Sequence, residues 1–241
     1  MPINDPILYY TCDSADTIGS TITDRGSGGN NGTLAGSPGS ATGKIKQALT
    51  FNGSSQYVTA GTPTALDITG AITVSAWIYP TSLPTGGDDG TPSHYANIIE
   101  KGYDGLNEQY AMSLQGGNIG WYTYGGSTNL IHGMKTSYGT SISVNTWTHV
   151  CGTYDGSAWN IYINGAAFAS VTDSQGPIHA SAPFSVGAAS INGAFQRFFT
   201  GSLDEVRVYS RALSSTEVAA LYAYTGAFSH LLRLRRKAAS A

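Results

Sequence analysis

Apolar and polar residues alternate along this 241-residue chain far more often than they recur at helical spacing. In AITVSAWIYPTS (71–82), Ile72, Val74, Ala76 and Ile78 share one parity, and Thr73, Ser75, Trp77 and Tyr79 the other. That period of two predicts a half-buried strand stopped by Pro80. Strands follow by the same reading in ILYYTC (7–12), NIIEKG (97–102) and APFSVGAA (182–189). QYAMSLQGGNIGWYTYGG (109–126) reads as a hairpin, and KQALTFNGSSQYVTAG (46–61) as another about the Asn52-Gly53 turn. WTHVCGTYDGSAWNIYINGAAFAS (147–170) predicts two strands about Asp155-Gly156. A long loop is expected at 81–95. The tract DRGSGGNNGTLAGSPGSATGK (24–44) is so dense in Gly, Asn and Ser that neither helix nor sheet is expected there, only positive-φ backbone wrapping something.

One helix interrupts the pattern. In GSLDEVRVYSRALSSTEVAALY (201–222) the acidic pair Asp204-Glu205 opens a β-branched strand, and a capping box, Ser214 with Glu217, follows. Val218, Leu221 and Tyr222 fall on one face, which predicts a short helix over 214–223. Turn signals every 8–12 residues and the absence of a repeat point to an all-β, two-sheet antiparallel jelly-roll sandwich over residues 1–225. Gly226 then separates a tail, 226–241, in which Phe228, Leu231, Leu232 and Leu234 mix with Arg233, Arg235, Arg236 and Lys237. Those leucines are too few for a core. Leu231, Leu232, Arg233, Arg235 and Arg236 are therefore expected to dock on a partner subunit.

Composition narrows the function classes. With 12 basic and 15 acidic residues the net charge is −3, and four of the basic residues lie in the tail, so the body is acidic. Such a surface repels a phosphate backbone, which argues against nucleic acid as a partner. No apolar run reaches the length of a membrane span, and MPINDPILYY lacks the basic and apolar regions of a secretory signal. The two cysteines, Cys12 and Cys151, sit in strand-like runs and are expected as buried free thiols.

In order, QALTFNGSSQYVTA, AITVSAWIYP, NTWTHVCGTYDGSAWNIYINGAA and GSLDEVRVYSRALSSTEVAALY follow an opening DSADT…DRGSGGNNGTL. This ordered set resembles the laminin-G-like jelly-roll domains of the concanavalin A-like lectin/glucanase superfamily over residues 6–225. The resemblance implies two antiparallel sheets of about a dozen strands, the first pairing near the last. It also implies a structural calcium ion at that closure, held by Asp24, carbonyls around Asn30, Asp204 and Asp13, since Ca²⁺ takes carboxylate and carbonyl oxygens from loops.

Catalytic chemistry has little footing. Glucanases of the superfamily place carboxyl groups as Glu-x-Asp-x-x-Glu on one strand; this chain has four glutamates, Glu100, Glu108, Glu205 and Glu217, and none has that spacing. Glu100 and Asp104 come nearest, with a glycine-containing turn between them. The five histidines show no metal-ligand spacing, and His149 is expected as a packed strand residue. Aromatic residues remain. Trp77, Tyr79, Tyr122, Tyr124 and Tyr162 alternate against core positions and are candidates to stack on sugar rings. The function the resemblance implies is a non-catalytic carbohydrate-binding or adhesion module, extracellular and displayed on a surface. The alternative is a structural or attachment protein of a phage virion, where lysis makes a secretion signal unnecessary. Expected partners are accordingly a glycan or other subunits of an assembly, as a homo-oligomer or virion component.

Overall fold

The computed structural model describes residues 5–85, 92–126, 130–135 and 142–224. Two antiparallel sheets face each other across one apolar core, as the alternation predicts. The first sheet runs, in spatial order, Ala166–Thr172, Ala158–Ile163, Thr148–Tyr154, Ile72–Pro80, Thr200–Tyr209, Gln47–Asn52 and Gly39–Thr42. The second runs Leu130–Met134, Asn118–Gly125, Glu108–Gln115, Ala96–Tyr103, Phe184–Val186, Tyr57–Gly61, Gly32–Ala35, Thr21–Ile22 and Thr17–Ile18. A small hairpin, Ala189–Ile191 with Ala194–Gln196, hangs beside Ala96–Tyr103. Inward residues of both sheets interdigitate: Val74, Ala76 and Ile78 from one, Met112, Leu114 and Trp121 from the other. Trp121 packs 5.2 Å from Trp159, centroid to centroid, at the centre. Burying such side chains contributes about 1.5–3 kcal/mol each, which is the main force holding the sheets together.

The Asp204-Glu205 pair marks a β-bulge. Asp204 pairs with Trp77 and Arg207 with Ser75, so two residues of the last strand oppose one on its neighbour, and Glu205 takes a φ of 54°. On the opposite edge the partner changes at the same place. Leu203 pairs with Leu49, whereas Val206 pairs with Tyr10 of the first strand, Leu8–Tyr10. The bulge is thus the joint at which the last strand closes against the first. Its helix, Ser215–Tyr222, carries the predicted capping box: Ser214 Oγ accepts the Glu217 N–H and the Glu217 carboxylate accepts the Ser214 N–H. Val218 and Leu221 then cover Cys151, Tyr162, Tyr209 and Leu213 on the outer face of the first sheet. Both cysteines are buried free thiols.

Two local expectations are corrected. The strands flanking Asn52-Gly53 do not pair with each other: Gln47–Asn52 belongs to the first sheet and Tyr57–Gly61 to the second. The segment is a crossover between layers, closed by Asn52 Oδ1, which accepts N–H bonds from Ser54, Ser55 and Gln56. An Asn-Gly signal reports a tight turn and not the layer to which the chain returns. The glycine-rich tract does enter the sheets, as Gly32–Ala35 and Gly39–Thr42, because edge pairing uses backbone groups that small residues supply as well as large ones. A third strand, Ala166–Thr172, follows the two expected over 147–170, across an Asn164-Gly165 turn with both φ values positive. The tail beyond 225, with its docking residues Leu231, Leu232, Arg233, Arg235 and Arg236, lies outside the described residues.

Candidate ligand-binding site

The outward residues of the first sheet are already occupied. Trp77 points away from the core, opposite to Ala76 and Ile78, yet it is almost fully buried. Its ring lies 5.3 Å from His149 and 5.4 Å from Tyr222 of the helix, with Lys44 Nζ 4.4 Å above it. His149 is held neutral, its pKa pushed down to about 3, first by burial and then by Arg207. Tyr162 is sealed in the same helix-covered cluster. Arg207 lies between Tyr9 at 4.1 Å and Tyr224 at 5.2 Å and is paired with Glu205, to which Tyr9 also donates at 2.7 Å. Tyr79 is half-buried against Trp147. Trp77 and Tyr162, expected to meet sugars, are therefore correctly oriented but covered: a capped helix lies over the face they occupy.

Around the closure, Asp24 Oδ1 accepts backbone N–H bonds from Tyr9 and Gly26, and Oδ2 accepts that of Asn30, all at 2.7 Å. Asn30 is tied in turn to Ile7 through its side chain and to the Tyr10 hydroxyl through its carbonyl. Asp13 pairs with Lys46 at 3.0 Å and accepts the Gln47 N–H. Asp204 is buried; Oδ2 accepts the Ile45 N–H at 2.9 Å and Oδ1 has no partner. Burial first, then the charges of Glu205 and Asp13, push its carboxyl up to about 8. Asp24 and Asn30 thus form one hydrogen-bonded group, whereas Asp13 and Asp204 take separate donors from the 45–47 stretch. N–H donors occupy the lone pairs a hard cation would take. Among the described residues no group of three or more His, Cys, Asp or Glu side chains is placed to hold a metal ion. As arranged, these side chains do not fit a calcium ion.

The outer face of the second sheet differs. Among the described residues no α-helix covers it, and a cavity of about 300 Å³ is lined there by Tyr103, Glu108, Tyr124, Lys135, Ile191 and Arg197. A second cavity, about 450 Å³, shares Arg197 as a wall, and its lining mixes Leu83, Pro84, Tyr95, Phe195 and Phe198 with polar residues such as Ser93 and Gln196. The strands set this geometry. Glu108 stands opposite both Tyr103 and Tyr124 in the register, so two tyrosine rings 5.9 Å apart flank one carboxyl. Phe195 stacks on Tyr57 at 3.9 Å, which fixes the hairpin beside the larger cavity.

Under the smaller cavity lies a pair of acids. Glu100 is fully buried, Asn97 donates to its Oε2, and Oε1 has no donor. Glu108 stands beside it, near enough for its charge to act on Glu100. Burial first, and for Glu100 also the charge of Glu108, hold both above the usual carboxylate range. Tyr122, fully buried, donates to Glu108 Oε1 at 3.4 Å, so this candidate supports the floor of the site and is not a sugar platform. Arg197 Nη1 lies 3.9 Å from the same oxygen, with its guanidinium 4.6 Å from the Tyr95 ring. Arg197 also has a φ of 53°, a left-handed conformation costing about 1–3 kcal/mol in a side-chain-bearing residue.

Of the aromatic candidates, Tyr124 lines the smaller of these two cavities, and the other four line neither. Sequence reading misses Tyr103, Glu108, Lys135 and Arg197. Glu108 sits immediately before the recognised hairpin and its bulge breaks the parity; Arg197 lies in a bend between Phe195 and Phe198 with no motif.

A family model described as the concanavalin A-like lectin/glucanases superfamily matches residues 52–219, well over half of the chain. Among curated proteins none matches this sequence. Among solved structures, domain 4 of AbnA, a GH43 extracellular arabinanase from Geobacillus stearothermophilus, in complex with arabinotriose, superposes with a TM-score of 0.70 at 25% identity, covering 90% of this chain and 98% of that one. The binding domain of Paraclostridial Mosquitocidal Protein 1 gives 0.69 at 19% identity, covering 90% and 52%. The botulinum neurotoxin serotype G binding domain gives 0.64 at 18%, covering 90% and 50%. This chain spans about half the length of those two binding domains, and they share its fold.

Proposed function

Because this chain belongs to the concanavalin A-like lectin/glucanases superfamily, we propose that it is a non-catalytic carbohydrate-binding module whose ligand lies in the cavities that meet at Arg197. The carrying observation is the convergence of Tyr103, Tyr124, Glu108, Lys135 and Arg197 on one uncovered cavity. Sugars are bound by such mixtures: aromatic faces take the apolar C–H surface, and fixed polar groups read the hydroxyls. The arabinotriose complex of the arabinanase domain supports the ligand class.

The acid pair supports the non-catalytic part of the reading. Glycosidic hydrolysis needs two carboxyl groups facing each other across the bond, about 5–10 Å apart. Glu100 and Glu108 instead lie side by side on neighbouring strands, with Glu100 fully buried beneath the surface. Among the described residues lining this cavity Glu108 is the one carboxyl group, and the other charged side chains are Lys135 and Arg197. A glycan array followed by calorimetry with the best oligosaccharide, including arabinan fragments, tests the reading. Saturable binding lost in Tyr124→Ala, with no release of reducing ends, is the expected result; bond cleavage that disappears in Glu108→Gln overturns it.

A further inference from the structure

Arg197 is unusual for a residue so enclosed. Its side chain is 13% exposed, yet Nε has no hydrogen-bond partner, and its nearest carboxylate oxygen, on Glu108, is 3.9 Å away, beyond hydrogen-bond reach. Tyr95 covers one face of the guanidinium. Buried donors are nearly always satisfied, so a strained, under-satisfied arginine in a cavity wall is a group waiting for an acceptor. Lys135 lines the same cavity, its Nζ 5.2 Å from that same Tyr95 ring.

We infer that this cavity selects an acidic glycan, with a sugar carboxylate seated on the Arg197 guanidinium and Lys135 adding attraction. The inference rests on the glycan-binding reading above and narrows it to a ligand class. A planar carboxylate matches the guanidinium fork, which a neutral hydroxyl cannot, and its charge pairs with that of the arginine. Tyr103 and Tyr124 remain available to the ring that carries it.

The test is calorimetry on the full chain at low salt with matched pairs: short oligogalacturonates against their methyl esters, and sialyllactose against lactose. The acidic member of at least one pair should bind about tenfold or more tighter, and added salt should erode that margin. Arg197→Gln should remove most of the preference, and Lys135→Gln part of it. Should Arg197→Gln fail to fold, Lys135→Gln and Arg197→Lys, which keeps charge but loses the fork, decide the matter. Equal binding of acidic and neutral members, or a preference unchanged in these variants, overturns the inference while leaving the module reading intact. Binding of neither kind overturns both.

Discussion

The outer faces of the two sheets are built from similar residues and end in opposite states. Each presents tyrosines, a buried glutamate and an arginine stacked on an aromatic ring. On the first sheet Arg207 forms a salt bridge to Glu205, Tyr9 completes the network, and a capped helix with Tyr222 closes over Trp77. On the second, Arg197 stops short of Glu108, Nε has no partner, and cavities open beside it. Satisfied polar groups beneath a cover stabilise a fold; unsatisfied ones beside an opening are available to a ligand. The difference originates where the chain leaves its last strand. Ser214 and Glu217 start a helix that returns over the first sheet, and among the described residues no α-helix returns over the second.

Crossing the two faces is the most direct way to break this contrast. Trp77→Ala empties a fully packed site beneath the helix and should cost about 3–5 kcal/mol of stability in denaturant unfolding. At temperatures where the variant stays folded, glycan affinity should be unchanged. Tyr124→Ala, at a half-buried cavity wall, should do the reverse: stability within about 1 kcal/mol of the parent, and affinity down roughly tenfold. A Trp77 variant that loses binding while folded would place the ligand on the wrong sheet.

The acid pair sharpens the contrast through pH. Glu100 is held above its unfolded value, about 4.3. Its favourable contribution is therefore complete below that value and declines as pH rises toward the folded one. Glu100→Gln retains an acceptor for Asn97 and supplies a permanent N–H toward Glu108. It should melt like the parent near pH 4 and gain about 1–3 kcal/mol on it by pH 8, as followed by thermal unfolding. A parent whose margin over the variant grows with pH would show that Glu100 is not held above its unfolded value.

How far the sequence carries depends on whether a feature is periodic. Alternation in Ile72–Pro80 and the Ser214–Glu217 box are local, and the structure keeps both. Layer assignment is not local. Gln47–Asn52 and Tyr57–Gly61 read as a hairpin because nothing near Asn52 says that Asn52 pairs with Thr200. The site fails for a related reason. Parity correctly turns Trp77 outward, but only the helix more than a hundred residues later covers it. Glu108 and Lys135 lie on a bulged strand and beyond an edge strand, and Arg197 in a turn, so register and tertiary pairing bring them together, not spacing.

The smallest expected effect concerns calcium. Three N–H donors converge on Asp24 and a lysine and an N–H on Asp13, so an ion would have to displace bonds that already satisfy these carboxylates. Asp204 Oδ1 is the exception, buried and without a donor, and one oxygen falls far short of the six to eight that calcium requires. A ligand stabilises the native state only in proportion to its binding there. The melting temperature should therefore be the same in saturating calcium and in chelator, for the parent and for Asp204→Asn alike. A rise with calcium that vanishes in Asp204→Asn would mean that the closure rearranges around an ion, with Asp24 released from Tyr9 and Asn30. The first sheet would then hold a ligand as the second is proposed to do, and the division between a sealed face and an open one would have to be redrawn.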